Sequence, residues 1–151
     1  MASVTVGPAV ERDLRAITAL IVDLSVETDG PEATNRAFIE RNVRTLFRDP
    51  RAHFLVARKA GRVVGFLNFA ARKTLTHSSR SALIDELVVS RKCRGQGIGR
   101  MLISAVVARC RKLGCCELEV STLANNRRAR RFYRKCGFDE GAVLLEMPLE
   151  A

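Results

Sequence analysis

Two hydrophobic periods alternate along the chain. Val4-Thr5-Val6, ahead of Gly7-Pro8, reads as a short strand. From Glu11 the apolar positions Leu14, Ile17, Leu20, Ile21 and Leu24 recur at helical spacing, and Asp29-Gly30-Pro31 ends that helix. Pro31 suits a first helical position, so a second helix is expected to start there. Its core face is Ile39, Val43, Leu46 and Phe47, and Asp49-Pro50 closes it. Residues 53–58 and 62–70 are β-rich runs around Lys59-Ala60-Gly61, a hairpin signal. A polar link over 74–79 leads to a further strand at 82–89, a basic glycine-rich loop, and a helix over 100–113 with Gly114 as its C-terminal cap. Residues 115–120 read as a strand. Residues 126–136 read as a helix with Ala129, Phe132, Tyr133 and Cys136 on one face and arginines on the other. Gly137 caps it, and 142–149 reads as a last strand. The order β-α-α-β-β-β-α-β-α-β predicts one mixed α/β domain over residues 1–151.

Composition narrows this. A hydrophobic content of 47% with 28% charged residues fits a globular chain, and no apolar run approaches the ~20 residues of a membrane span. The N-terminus lacks the basic-then-apolar order of a signal peptide. The five cysteines (93, 110, 115, 116 and 136) are odd in number and lack metal-ligand spacing, so no metal is expected and reduced thiols in a cytoplasmic protein are. The net charge of +10 is concentrated: residues 90–135 hold 13 Lys/Arg against Glu117 and Glu119, for +11, and the remainder sums to −1. Such a segment expects an anionic partner, either a nucleotide cofactor or a nucleic acid. The one acidic region, with six acids between Glu11 and Glu32, reads as a solvated helix face.

The chemistry concentrates after the 82–89 strand. Ser90-Arg91-Lys92-Cys93-Arg94 passes into Gly95-Gln96-Gly97-Ile98-Gly99 and then the helix. Glycines let backbone N–H groups surround an anion, and a helix N-terminus adds roughly 0.3–2 kcal/mol. This is a diphosphate cradle. A Walker loop requires Lys-Ser or Lys-Thr after its second glycine, and Gly99 is followed by Arg100-Met101. A dinucleotide fingerprint requires G-x-G-x-x-G directly after the strand; here the glycines run 95, 97, 99 beyond five polar or basic residues. Arg94-x-x-Gly97-x-Gly99, with Leu87-Val88-Val89 before it and Ile98, Leu102 and Ile103 after, resembles the acetyl-CoA loop of the GNAT superfamily of N-acetyltransferases. A second stretch, Asn126-x-x-Ala129-x-x-Phe132-Tyr133-x-x-x-Gly137-Phe138, matches that superfamily's next motif at the right spacing.

The resemblance spans the chain and is strongest from 82 to 138. It implies the GNAT fold: a central, mostly antiparallel sheet of about six or seven strands flanked by about four helices. It also implies acetyl-CoA as co-substrate, contacted by Leu87, Val88, Val89, Arg94, Gly95, Gln96, Gly97, Ile98, Gly99, Arg100, Asn126, Arg130 and Tyr133. A backbone N–H near Val88 or Val89 would meet the developing oxyanion. Tyr133, the chain's only tyrosine, occupies the general-acid position, where a hydroxyl near pKa 10 can protonate a thiolate. For the base, Asp85 and Glu86 should face opposite sides of the strand, with family spacing favouring Asp85 and water as an alternative. His53 and His77 read as structural. The acceptor wall is expected around 24–36, 70–79 and 139–146, where Asp23, Glu27, Asp29 and Glu32 would favour a cationic amine. A peptide N-terminus is also compatible. Two other readings are a non-catalytic acetyl-CoA-binding sensor and a basic RNA- or DNA-binding domain. Few aromatics weigh against the latter. Pairing of relatives through C-terminal strands implies a homodimer.

Overall fold

The computed structural model describes residues 2–149. In chain order the elements are β1 (Val4–Pro8), α1 (Leu14–Asp29), α2 (Arg36–Phe47), β2 (Ala52–Lys59), β3 (Arg62–Lys73), β4 (Arg80–Val89), α3 (Ile98–Lys112), β5 (Cys115–Val120) and α4 (Arg127–Lys135). Short 3₁₀ turns lie at Glu11–Asp13 and Arg91–Cys93. The five strands form one sheet in sequence order, with antiparallel pairing from β1 through β4. Contacts divide the chain into two compact units, Met1–Glu119 and Val120–Ala151.

In the first unit the pleat sorts side chains onto two faces. Cross-strand partners share a face. Val56, Phe66 and Val88 are paired in register, and with Phe54 they pack against Leu14, Ile17 and Leu20 of α1 and Val43 of α2. Leu55, Leu67 and Leu87 are likewise paired and belong to the other face, against α3, whose Ile98, Leu102, Ile103 and Val106 are buried. The sheet is therefore sandwiched between α1/α2 and α3.

Two boundaries differ from the sequence reading for local reasons. α2 begins at Arg36, not at Pro31. Asn35 wins as N-cap because its Oδ1 accepts the Phe38 N–H at 3.0 Å, while Thr34 Oγ1 donates back to the Gly30 carbonyl at 2.9 Å and holds Pro31 in the preceding turn. The strand expected at 142–149 does not form: residues 139–149 are neither helix nor strand, and Val143, Leu145, Met147 and Leu149 are all more than 80% exposed. A strand exists only as part of a ladder, and propensity without a partner does not make one. The described residues therefore carry five strands, not six or seven. In the second unit, α4 is capped by Asn126 and ends where the Gly137 and Phe138 N–H groups bond back to the Arg134 and Tyr133 carbonyls.

One contact sets how closely α3 lies on the sheet. A Cβ on Gly65 of β3 would stand 3.1 Å from Leu102 Cδ1, 3.2 Å from Ile98 Cγ2 and 3.3 Å from Ala57 Cβ. The helix uses the space a side chain would need. Gly65→Val is expected to destabilise the protein by about 1–3 kcal/mol through overpacking, read as a lower thermal midpoint, with Gly65→Ala milder. An unchanged midpoint for the valine variant would mean that α3 is free to shift.

Candidate active site

The loop between β4 and α3 leaves backbone groups open at the start of a helix. Gly95 and Gly97 adopt φ of +75° and +79°, conformations that cost other residues roughly 1–2 kcal/mol. Their missing Cβ atoms would face open space, so a ligand can approach the backbone there. Gly97 is the N-cap of α3, and no side chain caps this end; the first intrahelical bond is Met101 N–H to the Gly97 carbonyl at 3.1 Å. The N–H groups of the first turn thus remain as donors. Around them, Lys59 Nζ donates to Gln96 Oε1 at 2.7 Å. Arg94 Nε donates to the Val89 carbonyl at 3.0 Å, fixing the guanidinium at the strand end.

Glu27 of α1 is a partner that the sequence did not announce. It receives Arg94 Nη2 at 2.9 Å and Arg91 Nε at 2.7 Å. Arg94 first and Arg91 second hold its carboxyl below the ordinary range. The two arginines of the loop are thereby tied to α1.

The register of β3 and β4 decides which backbone groups stay outside the ladder. The Ser90 N–H bonds the Val64 carbonyl at 2.8 Å, and Val89 lies opposite Gly65. Antiparallel partners alternate between bonded and non-bonded pairs, so Val89 turns its N–H and C=O away from β3, as the Arg94 bond to its carbonyl attests. A bulge lies further down, between Asn68 and Phe69, where Glu86 pairs with Asn68 and Ile84 with Phe69, leaving Asp85 as the extra residue. The simple alternation expected for Asp85 and Glu86 is therefore interrupted. Asp85 is exposed at the bulge, with its carboxyl pushed up by the partial desolvation of the sheet. Glu86 shares the α1/α2 face with Asn68 and Phe54.

That face holds a cavity of about 300 Å³. Leu24, Ile39, Phe54 and Phe66 give it apolar walls, Ser25, Thr28 and Asp29 come from the end of α1, and the strands contribute Glu86 and Asn68. Asn68 Nδ2 donates to Glu86 Oε2 at 2.9 Å. Burial pushes the Glu86 carboxyl up, the Asn68 hydrogen bond opposes this, and the charge of Asp85 adds to it. Of the wall expected from the first two helices, the end of α1 lines this cavity; the contributing α2 residues, Ile39, Asn42, Val43 and Leu46, lie beyond the expected 24–36, and Asn68 was missed. The available signal for Asn68 was one polar residue inside the apolar run Val63-Val64-Gly65-Phe66-Leu67-Asn68-Phe69. Neither histidine is among the lining residues: His53 stacks on Phe69 at 4.8 Å, and His77 meets Glu117 at 3.0 Å.

In the second unit Tyr133 packs edge-on between Phe132 and Phe138 at 5.1 and 5.6 Å. Burial, with a smaller contribution from Cys136, pushes its hydroxyl up to about 12. Asn126 Oδ1 accepts the Ala129 N–H at 3.0 Å, which is a capping role. Arg130 forms a two-pronged pair with Glu140 at 2.9 Å and also reaches the Ala124 carbonyl.

Comparison with known proteins matches residues 15–138 to the family model described as the acetyltransferase (GNAT) family. The chain is 30% identical over 151 residues to an aminoglycoside N(6')-acetyltransferase type 1 of Stenotrophomonas maltophilia, covering 97% of this chain and 94% of that one. It is 32% identical over 132 residues to an aminoalkylphosphonate N-acetyltransferase of Salmonella typhimurium, covering 87% and 82%. Among solved structures, an aminoglycoside N-acetyltransferase in complex with CoA superposes with a TM-score of 0.85 at 16% identity, covering 100% of this chain and 97% of that one.

A raised carboxyl pKa carries a stability consequence. Ionised Glu86 burdens the fold at neutral pH, and the burden disappears as pH falls below the ordinary glutamate value of 4.5. Asp85 and Asp29 are the other charged groups around it. Glu86→Gln, which still accepts from Asn68, is expected to raise the thermal midpoint at pH 7, with the gain shrinking as pH approaches 4.5. Melting curves across that range check it; a lower midpoint at pH 7 would contradict the burial account.

Proposed function

The chain belongs to the GNAT acetyltransferase family and is an N-acetyltransferase; from that premise we propose how it moves the acetyl group of acetyl-CoA to a small primary amine in one ternary complex. The observation that carries this reading is β4 itself. Its end feeds the glycine loop, and three residues before that end Glu86 enters the cavity between α1, α2 and the sheet.

In this reading the diphosphate lies against the first turn of α3 and loop 94–99, with Arg94 adding charge. Arg100, Asn126 and Arg130 are further proposed contacts. The Val89 N–H, turned out of the β3–β4 ladder, donates to the thioester oxygen as negative charge builds on it. Most alkylamines are protonated at pH 7, so the nucleophile must lose a proton first. Glu86, raised by burial, takes it. Asp85, exposed at the bulge, is the secondary candidate. As the C–S bond breaks, the Tyr133 hydroxyl donates to the leaving sulfur. With a pKa of about 12 it stays protonated at neutral pH, and full transfer to a thiolate whose thiol titrates near ~8.5 runs uphill. Its help is therefore chiefly the hydrogen bond. The relatives' acceptors, aminoglycosides and aminoalkylphosphonates, make both amine classes candidates.

We place the enzyme in the cytoplasm, as its five free cysteines favour a reducing compartment. No helix among the described residues is long and apolar enough to cross a membrane. A single catalytic domain that pairs as a homodimer is also part of this reading, supported by the exposed apolar run Val143-Leu144-Leu145 with Met147 and Leu149. Sedimentation should give twice the 16.7 kDa chain mass, and a monomer mass would refute the dimer.

Kinetics test the chemistry. Arg94→Ala is expected to weaken acetyl-CoA binding at least about tenfold, as for loss of a charge-assisted contact. Tyr133→Phe should lower kcat at least about tenfold with little change in acetyl-CoA affinity. Unaltered kcat in the tyrosine variant, or unaltered affinity in the arginine variant, would remove that residue from the mechanism.

A further inference from the structure

Lys59 reaches the glycine loop from outside it. It ends β2, and the turn beyond it has two central residues: Lys59 and Arg62 are register partners, with Ala60 and Gly61 at φ of +49° and +74°. Ala60 is the only described non-glycine residue with positive φ, a conformation that costs any residue bearing a Cβ. The tight turn keeps Lys59 in the ladder. The register shift nearby lies in β3, where Val64 is the extra residue, so β2 keeps its alternation to the end. Arg58 turns to one face and donates to Asp13, just ahead of α1, at 2.6 Å. Lys59 turns to the other face, that of Ala57, which crowds Gly65 together with Ile98 and Leu102 of α3. There its Nζ donates to Gln96 Oε1 at 2.7 Å, and Gln96 stands between Gly95 and Gly97.

Charge balance sets this lysine apart from the arginines of the loop. Arg91 and Arg94 share Glu27, and Arg94 also engages its Nε on the Val89 carbonyl. Two guanidiniums and one carboxylate leave a single net positive charge, spread over groups already bonded. Glu27 and Asp29 stand in the last turn of α1, which has no base of its own. A helix C-terminus favours cations, and Arg91 and Arg94 supply them. Lys59 makes no ion pair among the described residues. Its bond to Gln96 goes to a neutral oxygen and takes one of three N–H donors. We propose that Lys59 is the cation that meets the donor's diphosphate: its ammonium contacts a phosphate oxygen lying against the backbone of 95–97 and the first turn of α3, while Arg91 is a strut between the loop and α1. This rests on the acetyl-transfer reading only in naming acetyl-CoA as the ligand; the group recognised is a nucleoside diphosphate. The glycine motif thus provides backbone donors, and a hairpin residue 37 positions before Gln96 provides the uncompensated charge.

Calorimetric titration of the purified full chain with acetyl-CoA and, separately, with ADP tests this. Lys59→Met should weaken both ligands at least about tenfold, as for loss of a charge-assisted contact, and Lys59→Arg should keep both within about threefold of the wild type. Lys59→Gln, a second neutral variant, should behave as Lys59→Met does. Arg91→Ala removes an equal charge close by and should weaken binding by less than about threefold. A loss matching that of Lys59→Met would reduce the effect to net charge and overturn the assignment. Undiminished acetyl-CoA binding by the neutral Lys59 variants would overturn it too. So would loss of acetyl-CoA binding with ADP unaffected, since that places Lys59 at the phosphate on the donor's ribose. Lys59-dependent ADP binding without any acetyl-CoA binding would uphold the lysine and defeat the transfer reading alone. Binding of neither ligand by the wild type would defeat both.

Discussion

In an antiparallel ladder each residue either bonds its partner through both backbone groups or through neither, and an inserted residue breaks the alternation beyond it. Both rules act on β4. Bonding of Ser90 to Val64 leaves Val89 outward at the end that meets the glycine loop. Simple alternation from Val88 puts Glu86 with Asn68 and Phe54 on the α1/α2 face, and the bulge at Asp85 breaks the alternation only beyond it. One strand register thus aims a backbone donor at one end and a carboxylate into a cavity a few residues away. Glu27 adds a link between the two sides, because it leaves the helix that walls the cavity to hold Arg91 and Arg94 of the loop.

The electrostatics divide sharply. The loop side has no side-chain cap on α3, two left-handed glycines and two arginines. The cavity side has carboxylates, an amide and apolar walls. Such a separation suits a reaction joining a polyanionic donor to an amine that begins as a cation. Burial of Glu86 costs stability, and the same burial brings its carboxyl closer to the pH range where it can accept a proton.

Much of the fold was legible from residue spacing, because its signals are local. Asn126 with Ala129 three residues on is a cap motif wherever the chain goes, and the Gly137-Phe138 ending of α4 is equally self-contained. The hairpin at 59–62, the strand at 115–120 and the helix after Gly97 likewise follow from glycine placement and apolar period. Asn35 was harder to see as the start of α2, since Pro31 offered an equally plausible start and the decision came from Thr34 bonding back to Gly30.

By itself, the sequence determined the order of elements from β1 to α4, the glycine-rich loop at 94–99 that opens a helix, and the family. Each of these depends on neighbours in the chain and on residue types with few alternative uses. The tertiary structure alone decided that 142–149 lacks a strand partner, that Glu86 and not Asp85 lines the cavity, that Asn68 lines it too, and that Glu27 pairs with Arg91 and Arg94. These depend on pairing register, on a single bulge, and on contacts between residues 18 to 67 positions apart. Hydrophobic period carries no record of such distances, because a one-residue shift in a ladder changes every face without changing the pattern.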